Sequence, residues 1–322
     1  MSARRQRIEG SLLASRYFVG KQLSINGGIA SYEARDMKLG RSIVLKLPYR
    51  ANGATSPIAK RLMREAKASA RIDHPNVLVA LDFGDLADGT PYIVTEGPVG
   101  ENLRARIARE GQMMFGVLND ITMQVLSGLA SAHEGGYIHG SLTSENIHLA
   151  SRPGCPPLVK LLGVGGVGDD NETPAVHPRR GSRRSASSTA SSSENPRIIP
   201  RQSRHGGKHD VLRTAVDPGP DIVACGALLF EMAAGKPATS QNDAATLPTL
   251  RPGTPATFAR VVARAMSADA LERFPSIVEL HESLRLVGNF SGGSSPPPPM
   301  EPNATLPDLD EWDDTTNERP LY

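Results

Sequence analysis

Apolar residues in the first third of the chain come in short runs that stop at Gly or Asp: Tyr17 to Val19, Ser31 to Ala34, Ile43 to Leu47, Val77 to Phe83 and Tyr92 to Thr95. Runs of this length and punctuation predict the strands of a small sheet. Between the third and fourth runs the period changes. Ile58, Leu62, Glu65, Ala66 and Ser69 recur at helical spacing behind Ser56-Pro57, which predicts a helix running to Ile72.

The second half reads as helical. Leu118, Ile121, Val125 and Leu129 form one apolar stripe, and Ile222, Gly226, Leu229, Phe230 and Ala233 form another. Ser276 and Glu279 make a capping-box pattern ahead of Leu280, Leu284 and Val287, which predicts a last amphipathic helix. Two segments lack any apolar period. Residues 171–209 are rich in Ser and carry eight basic against two acidic residues, and residues 288–322 pass from a Ser/Gly/Pro run into seven acidic residues against Arg319. Both read as unpacked chain.

Composition narrows the class. The 322 residues suffice for a large domain or two lobes, and the net charge of +2 gives no reason to expect nucleic acid as a partner. Cys155 and Cys225 cannot form a disulfide framework, and no Cys/His cluster suggests a metal centre. The apolar stretch Leu12-Leu13-Ala14 is too short for a signal sequence, and the run Ile222 to Gly235 falls short of the roughly 20 residues that cross a bilayer. A soluble cytoplasmic protein without a membrane span is expected.

Ordered landmarks then add a family resemblance. Ile43-Val44-Leu45-Lys46 is followed nineteen residues later by Glu65. Further on come His139-Gly140-Ser141-Leu142-Thr143-Ser144-Glu145-Asn146, Lys160-Leu161-Leu162-Gly163-Val164-Gly165, Asp221-Ile222-Val223-Ala224-Cys225-Gly226 and Glu272-Arg273-Phe274-Pro275-Ser276. In this order they resemble the landmarks of protein kinases, and most closely the bacterial serine/threonine kinases of the eukaryotic type.

The resemblance implies an α+β, bilobal fold: a small antiparallel β-sheet N-lobe with one main helix, and a larger, mostly helical C-lobe. It places an N-terminal extension at 1–15, the N-lobe at 16–97 and the C-lobe at 98–287. A basic insertion in the activation segment then falls at 169–209 and the acidic tail at 288–322. Lys46 is implied as the phosphate-holding lysine and Glu65 as its partner. Gly27 and Gly28 fall in the phosphate loop, Thr95 and Glu96 at the nucleotide hinge, and His139, Asp221 and Arg273 in structural roles. Within the basic insertion Ser182, Ser185 and Ser187 follow arginines in patterns that resemble sites of basophilic kinases.

The departures bear on chemistry. Ser141 stands where the family places its catalytic-base aspartate, Thr143 where it places a lysine, and Gly163 where it places the metal-holding aspartate. A hydroxyl is no general base near neutral pH, and losing a positioned base costs ~100-fold to ~10,000-fold in rate. Asn146 remains as the sole metal ligand, a weak one. Pro98, three residues beyond Thr95, lacks the N–H with which the family binds adenine. Gly140 replaces an arginine that receives a phosphate in many kinases. With no glutamate from Asn195 to Phe230, Arg273 is left Asp210, Asp217 or no carboxylate partner at all.

The expectation is therefore a pseudokinase: a kinase-like scaffold that binds protein partners, an active kinase or its substrates. The alternatives are a weakly active ATP-dependent serine/threonine kinase and a nucleotide sensor without turnover. ATP, with or without Mg²⁺, is the one cofactor implied.

Overall fold

The computed structural model describes residues 8–49, 56–97, 100–152, 154–166 and 216–288. Pro98, the basic insertion with Ser182, Ser185 and Ser187, the carboxylates of Asp169, Asp170 and Asp210, and the tail beyond Gly288 lie outside these residues.

The N-lobe is an antiparallel sheet of β1 (Leu12–Leu13), β2 (Tyr17–Asn26), β3 (Ile29–Asp36), β4 (Arg41–Pro48), β5 (Ala80–Asp85) and β6 (Pro91–Glu96), in the spatial order β1-β2-β3-β4-β6-β5. Alternation along these strands buries Tyr17, Val19, Tyr32, Ala34, Ile43, Leu45 and Val94 in one cluster. The lobe begins earlier than the expected residue 16, because Leu12–Leu13 pairs with Tyr17 and Phe18, and Ile8 and Leu13 are buried in the same cluster.

On the sheet lies α1 (Pro57–Ser69). The Ser56 hydroxyl accepts the Ala59 N–H at 3.1 Å and Pro57 occupies the first turn, so the start read from sequence has its physical cause in a side-chain cap. Leu62 and Ala66 pack against Ile29, Ala80 and Ile93 of the sheet.

The expected strand Val77–Phe83 divides. Val77 bridges to Leu161 of the other lobe, and only from Ala80 does the chain join the N-lobe sheet. Asn76, buried, explains the break: its amide donates to Gln124 and to the Val159 carbonyl, which fastens the segment before β5 to the C-lobe.

The C-lobe holds α2 (Leu103–Glu110), α3 (Phe115–Glu134), α4 (Gly219–Ala234), α5 (Leu247–Leu250), α6 (Ala256–Ala265) and α7 (Ile277–Gly288). A three-stranded sheet of β7 (Glu101–Asn102), β8 (Ile147–Arg152) and β9 (Cys155–Leu161) lies beside them. The stripes expected on α3 and α4 are buried together with Phe258, Val262, Leu280 and Leu284. At the head of α7, Ser276 caps the Glu279 N–H, but the Glu279 carboxylate turns to Arg264 at 3.1 Å, so half of the box forms. Among the described residues no helix is long and apolar enough to cross a membrane.

Candidate functional site

The site is assembled where the two lobes face each other. From the N-lobe, β4 brings Lys46 and α1 brings Glu65, and the ammonium lies 2.8 Å from the carboxylate. Both are buried, at 6% and 7% exposure. Two opposite charges removed from water this far hold each other in place, and losing either one would leave the other without compensation.

The β2–β3 hairpin forms the roof. It turns at Gly27 and Gly28, whose φ values of +53° and +79° lie in the left-handed region that only glycine adopts freely. The turn is seated on α1: a Cβ on Gly28 would fall 2.6 Å from Ile58, and one on Gly27 would fall 2.8 Å from the two terminal guanidinium nitrogens of Arg61. Across the cleft, the Asn26 amide donates to Glu145 at 3.3 Å, with the Asn146 side-chain oxygen at 3.5 Å.

The C-lobe supplies the loop from His139 to Asn146. Its shape is set from below by Asp221, fully buried, whose carboxylate accepts the backbone N–H of His139 at 2.8 Å and of Gly140 at 2.7 Å, with the His133 imidazole at 2.7 Å. Burial alone would raise the Asp221 pKa; the His133 and backbone hydrogen bonds outweigh it and hold the group below the usual carboxylate range. Ser144 is likewise tied to Glu231 at 3.1 Å.

His139 is fully buried, and neither ring nitrogen has a hydrogen-bond partner of good geometry. Burial pushes its pKa down, against the opposing pull of Asp221, so it stays neutral. It lies beneath Gly163, at the place where a Cβ on that glycine would be 3.8 Å from the imidazole.

The polar faces that would meet a reacting group are sparse. Ser141 and Thr143 are exposed, and neither hydroxyl has a partner among the described residues. Asn146 donates its side-chain amide to the Ser141 carbonyl at 2.9 Å. Gly163 has φ +85° and contributes no side chain. Mg²⁺ requires near-octahedral oxygen ligands, and among the described residues no group of three or more His, Cys, Asp or Glu could hold a metal. The described residues do not fit a metal here.

At the hinge, Thr95 is buried and its hydroxyl reaches the Val44 carbonyl at 3.5 Å. Thr95 lines a cavity of about 10 Å³ with Glu65, Ser69, Leu161 and Gly163, space for about one water. The Glu96 carboxylate turns away, to the ammonium of Lys160 at 2.8 Å. Arg273, expected to meet Asp210, Asp217 or no carboxylate at all, donates to the carbonyls of Ser267 at 2.7 Å and Ala268 at 3.0 Å and has no carboxylate partner among the described residues, which do not include Asp210. Its fork closes the turn between α6 and α7, while Asp217 accepts the Gly219 N–H at the head of α4.

Sequence reasoning missed three members of the site: Arg61, the Asn26 bridge to Glu145, and Lys160 at the hinge. Arg61 had a signal, since it lies one helical turn before Glu65 and must share its face of α1.

A family model described as protein tyrosine and serine/threonine kinase matches residues 26–165. Among curated proteins, the chain is 35% identical over 156 residues to serine/threonine-protein kinase pkn3 of Myxococcus xanthus, covering 48% of this chain and 28% of that protein. It is 26% identical over 319 residues to serine/threonine-protein kinase PksC of Streptomyces coelicolor, covering 92% and 53%. The chain thus spans between about a quarter and about half of these relatives. Among solved structures, the kinase domain of Mycobacterium tuberculosis PknI superposes with a TM-score of 0.60 at 21% identity, over 86% of this chain and 98% of that one. At that identity the likeness speaks for the fold.

Proposed function

The chain belongs to the protein kinase superfamily, with relatives among the bacterial serine/threonine kinases, and from that premise we propose that it has given up phosphoryl transfer and works as a protein-binding or regulatory domain in phosphorylation signalling. The observation that carries this reading is Gly163. In this fold the metal bridging the transferred phosphates needs a carboxylate at the start of that turn, and here there is a left-handed glycine above a neutral imidazole.

Ser141 and Thr143 weaken the site further. With no carboxylate at 141 to orient a hydroxyl and no lysine at 143 to meet the transferring group, the cleft retains a means of holding phosphate but lacks the groups at these positions that move it. The partners proposed are proteins of a phosphorylation pathway, an active kinase or its substrates, met in the cytoplasm. The buried Lys46–Glu65 pair favours one addition to this reading, that ATP still enters the cleft.

The test is a phosphotransfer assay with labelled ATP and Mg²⁺ or Mn²⁺, on the protein itself and on a generic acceptor, beside the Lys46→Ala variant. No transfer above the variant is expected. Transfer that depends on Lys46 and on metal would make the protein an active kinase and end this reading.

A further inference from the structure

We propose that the cleft takes the polyphosphate tail of a nucleotide on the Arg61 guanidinium, in place of a divalent metal. This deepens the non-catalytic reading and rests on it, since Arg61 stands in for the charge that a metal would supply. Arg61 occupies a defined place: its terminal nitrogens lie against the tip of the β2–β3 hairpin at Gly27, and a Cβ on Gly166 would meet its stem at 3.4 Å. The side chain therefore passes between the phosphate loop and the turn that follows Gly163.

Its neighbours are engaged. Lys46 is paired with Glu65, and Arg64 donates to the Gly166 carbonyl at 3.2 Å. Arg61, half-buried, has no hydrogen bond or ion pair among the described residues. A guanidinium offers a planar fork of donors matched to two phosphate oxygens and is more weakly hydrated than an ammonium, so it gives up less on binding. Against Gly27, which has no Cβ, an anion can approach the hairpin backbone and the guanidinium together.

Charge argues for the same assignment. A kinase offsets nucleotide phosphate with metal held by carboxylate; at 163 that carboxylate is absent, Lys46 is balanced by Glu65, and the positive charge left to meet bare phosphate is that of Arg61, which has no carboxylate partner among the described residues. The opposing charge at the tip is Glu145, held 3.3 Å from Asn26. Metal-chelated nucleotide carries less negative charge and forfeits oxygens that Arg61 would bind, so this site prefers nucleotide without metal.

The experiment is titration calorimetry of the whole protein with ATP and with AMP, each in EDTA and in excess Mg²⁺, repeated on Arg61→Gln and Arg61→Ala after their melting temperatures have been matched to the parent. ATP is expected to bind in EDTA at least as tightly as in Mg²⁺. Both variants should weaken ATP roughly 10-fold to 100-fold while leaving AMP unchanged. ATP binding that requires Mg²⁺, an equal loss for AMP, unchanged ATP affinity in the variants, or no binding at millimolar ATP would each overturn the proposal. The phosphotransfer assay decides the non-catalytic reading separately, because a protein can fail either test alone.

Discussion

Beneath the 139–146 loop, Asp221 accepts two backbone N–H groups and the His133 imidazole, and Glu231 takes the Ser144 hydroxyl; on the loop's open side, Ser141 and Thr143 carry exposed hydroxyls with no partner among the described residues. The two faces of one loop are under different demands. The lower face fixes a backbone path through a buried carboxylate, which cannot be exchanged without orphaning several donors. Among the described residues the upper face has no side-chain partner at Ser141 or Thr143, so those residue types can change at little cost to the described fold. A kinase fold that loses its chemistry should therefore lose it from the upper face first, which is where the proposed loss falls in this chain.

The contrast is tested most strongly at Asp221. Replacing it with alanine leaves two buried backbone N–H groups and an imidazole without an acceptor, and destabilisation of roughly 3 kcal/mol or more is expected from a urea unfolding curve. A loss under 1 kcal/mol would mean that the loop keeps its path without the carboxylate, and the distinction between the faces would fail.

What the sequence made legible follows the same division. Lys46, Glu65, His139, Asp221 and the capped starts of α1 and α7 were found because each sits at a fixed offset within its own segment or in an ordered series of landmarks. Contacts made by tertiary approach were not. The Asn26 bridge joins residues more than a hundred positions apart, and Arg61 reaches Gly27 only because the hairpin folds onto α1. Short or irregular elements were harder: β1 has two residues and hence no period, and only the end of β9 was legible, as the strand into the Lys160–Gly165 landmark, because its start runs through Pro156 and Pro157, which break the alternation of a strand. The bonds of Arg273 were not legible either, because two carbonyls in a neighbouring turn receive its fork and carbonyls leave no mark in a sequence.

A smaller effect is expected from His139, which sits between the two faces. Its pKa in the folded state lies below the unfolded value of about 6.5, since burial disfavours the cation. As pH falls through about 6.5, the unfolded chain takes up a proton that the folded chain refuses, so stability drops towards acid, by at most about 1.4 kcal/mol per pH unit. His74, also lowered by burial, adds to the slope in the same direction. Unfolding midpoints for the protein and for His139→Leu should lie close together at pH 7.5 and separate by pH 5.5, with the variant the more stable. Parallel pH profiles would show that His139 is protonated without cost, and so is not held as a neutral group.

The smallest effects belong to the upper face. Ser141→Ala and Thr143→Ala each remove an exposed hydroxyl that bonds to no described residue, and truncations of that kind usually fall within about ±0.5 kcal/mol. The backbone around them is anchored elsewhere: the Thr143 carbonyl accepts the Asn146 N–H at 3.0 Å, and the Ser141 carbonyl accepts the Asn146 amide, neither of which needs the side chain. Melting temperatures of the two variants should therefore match the parent, and so should ATP affinity in EDTA, because phosphate is assigned to Arg61 and Lys46 on the opposite wall. A clear loss of stability in either variant would make its hydroxyl part of the scaffold. A loss of nucleotide affinity alone would extend the phosphate site across the cleft and would show that the upper face contributes to binding.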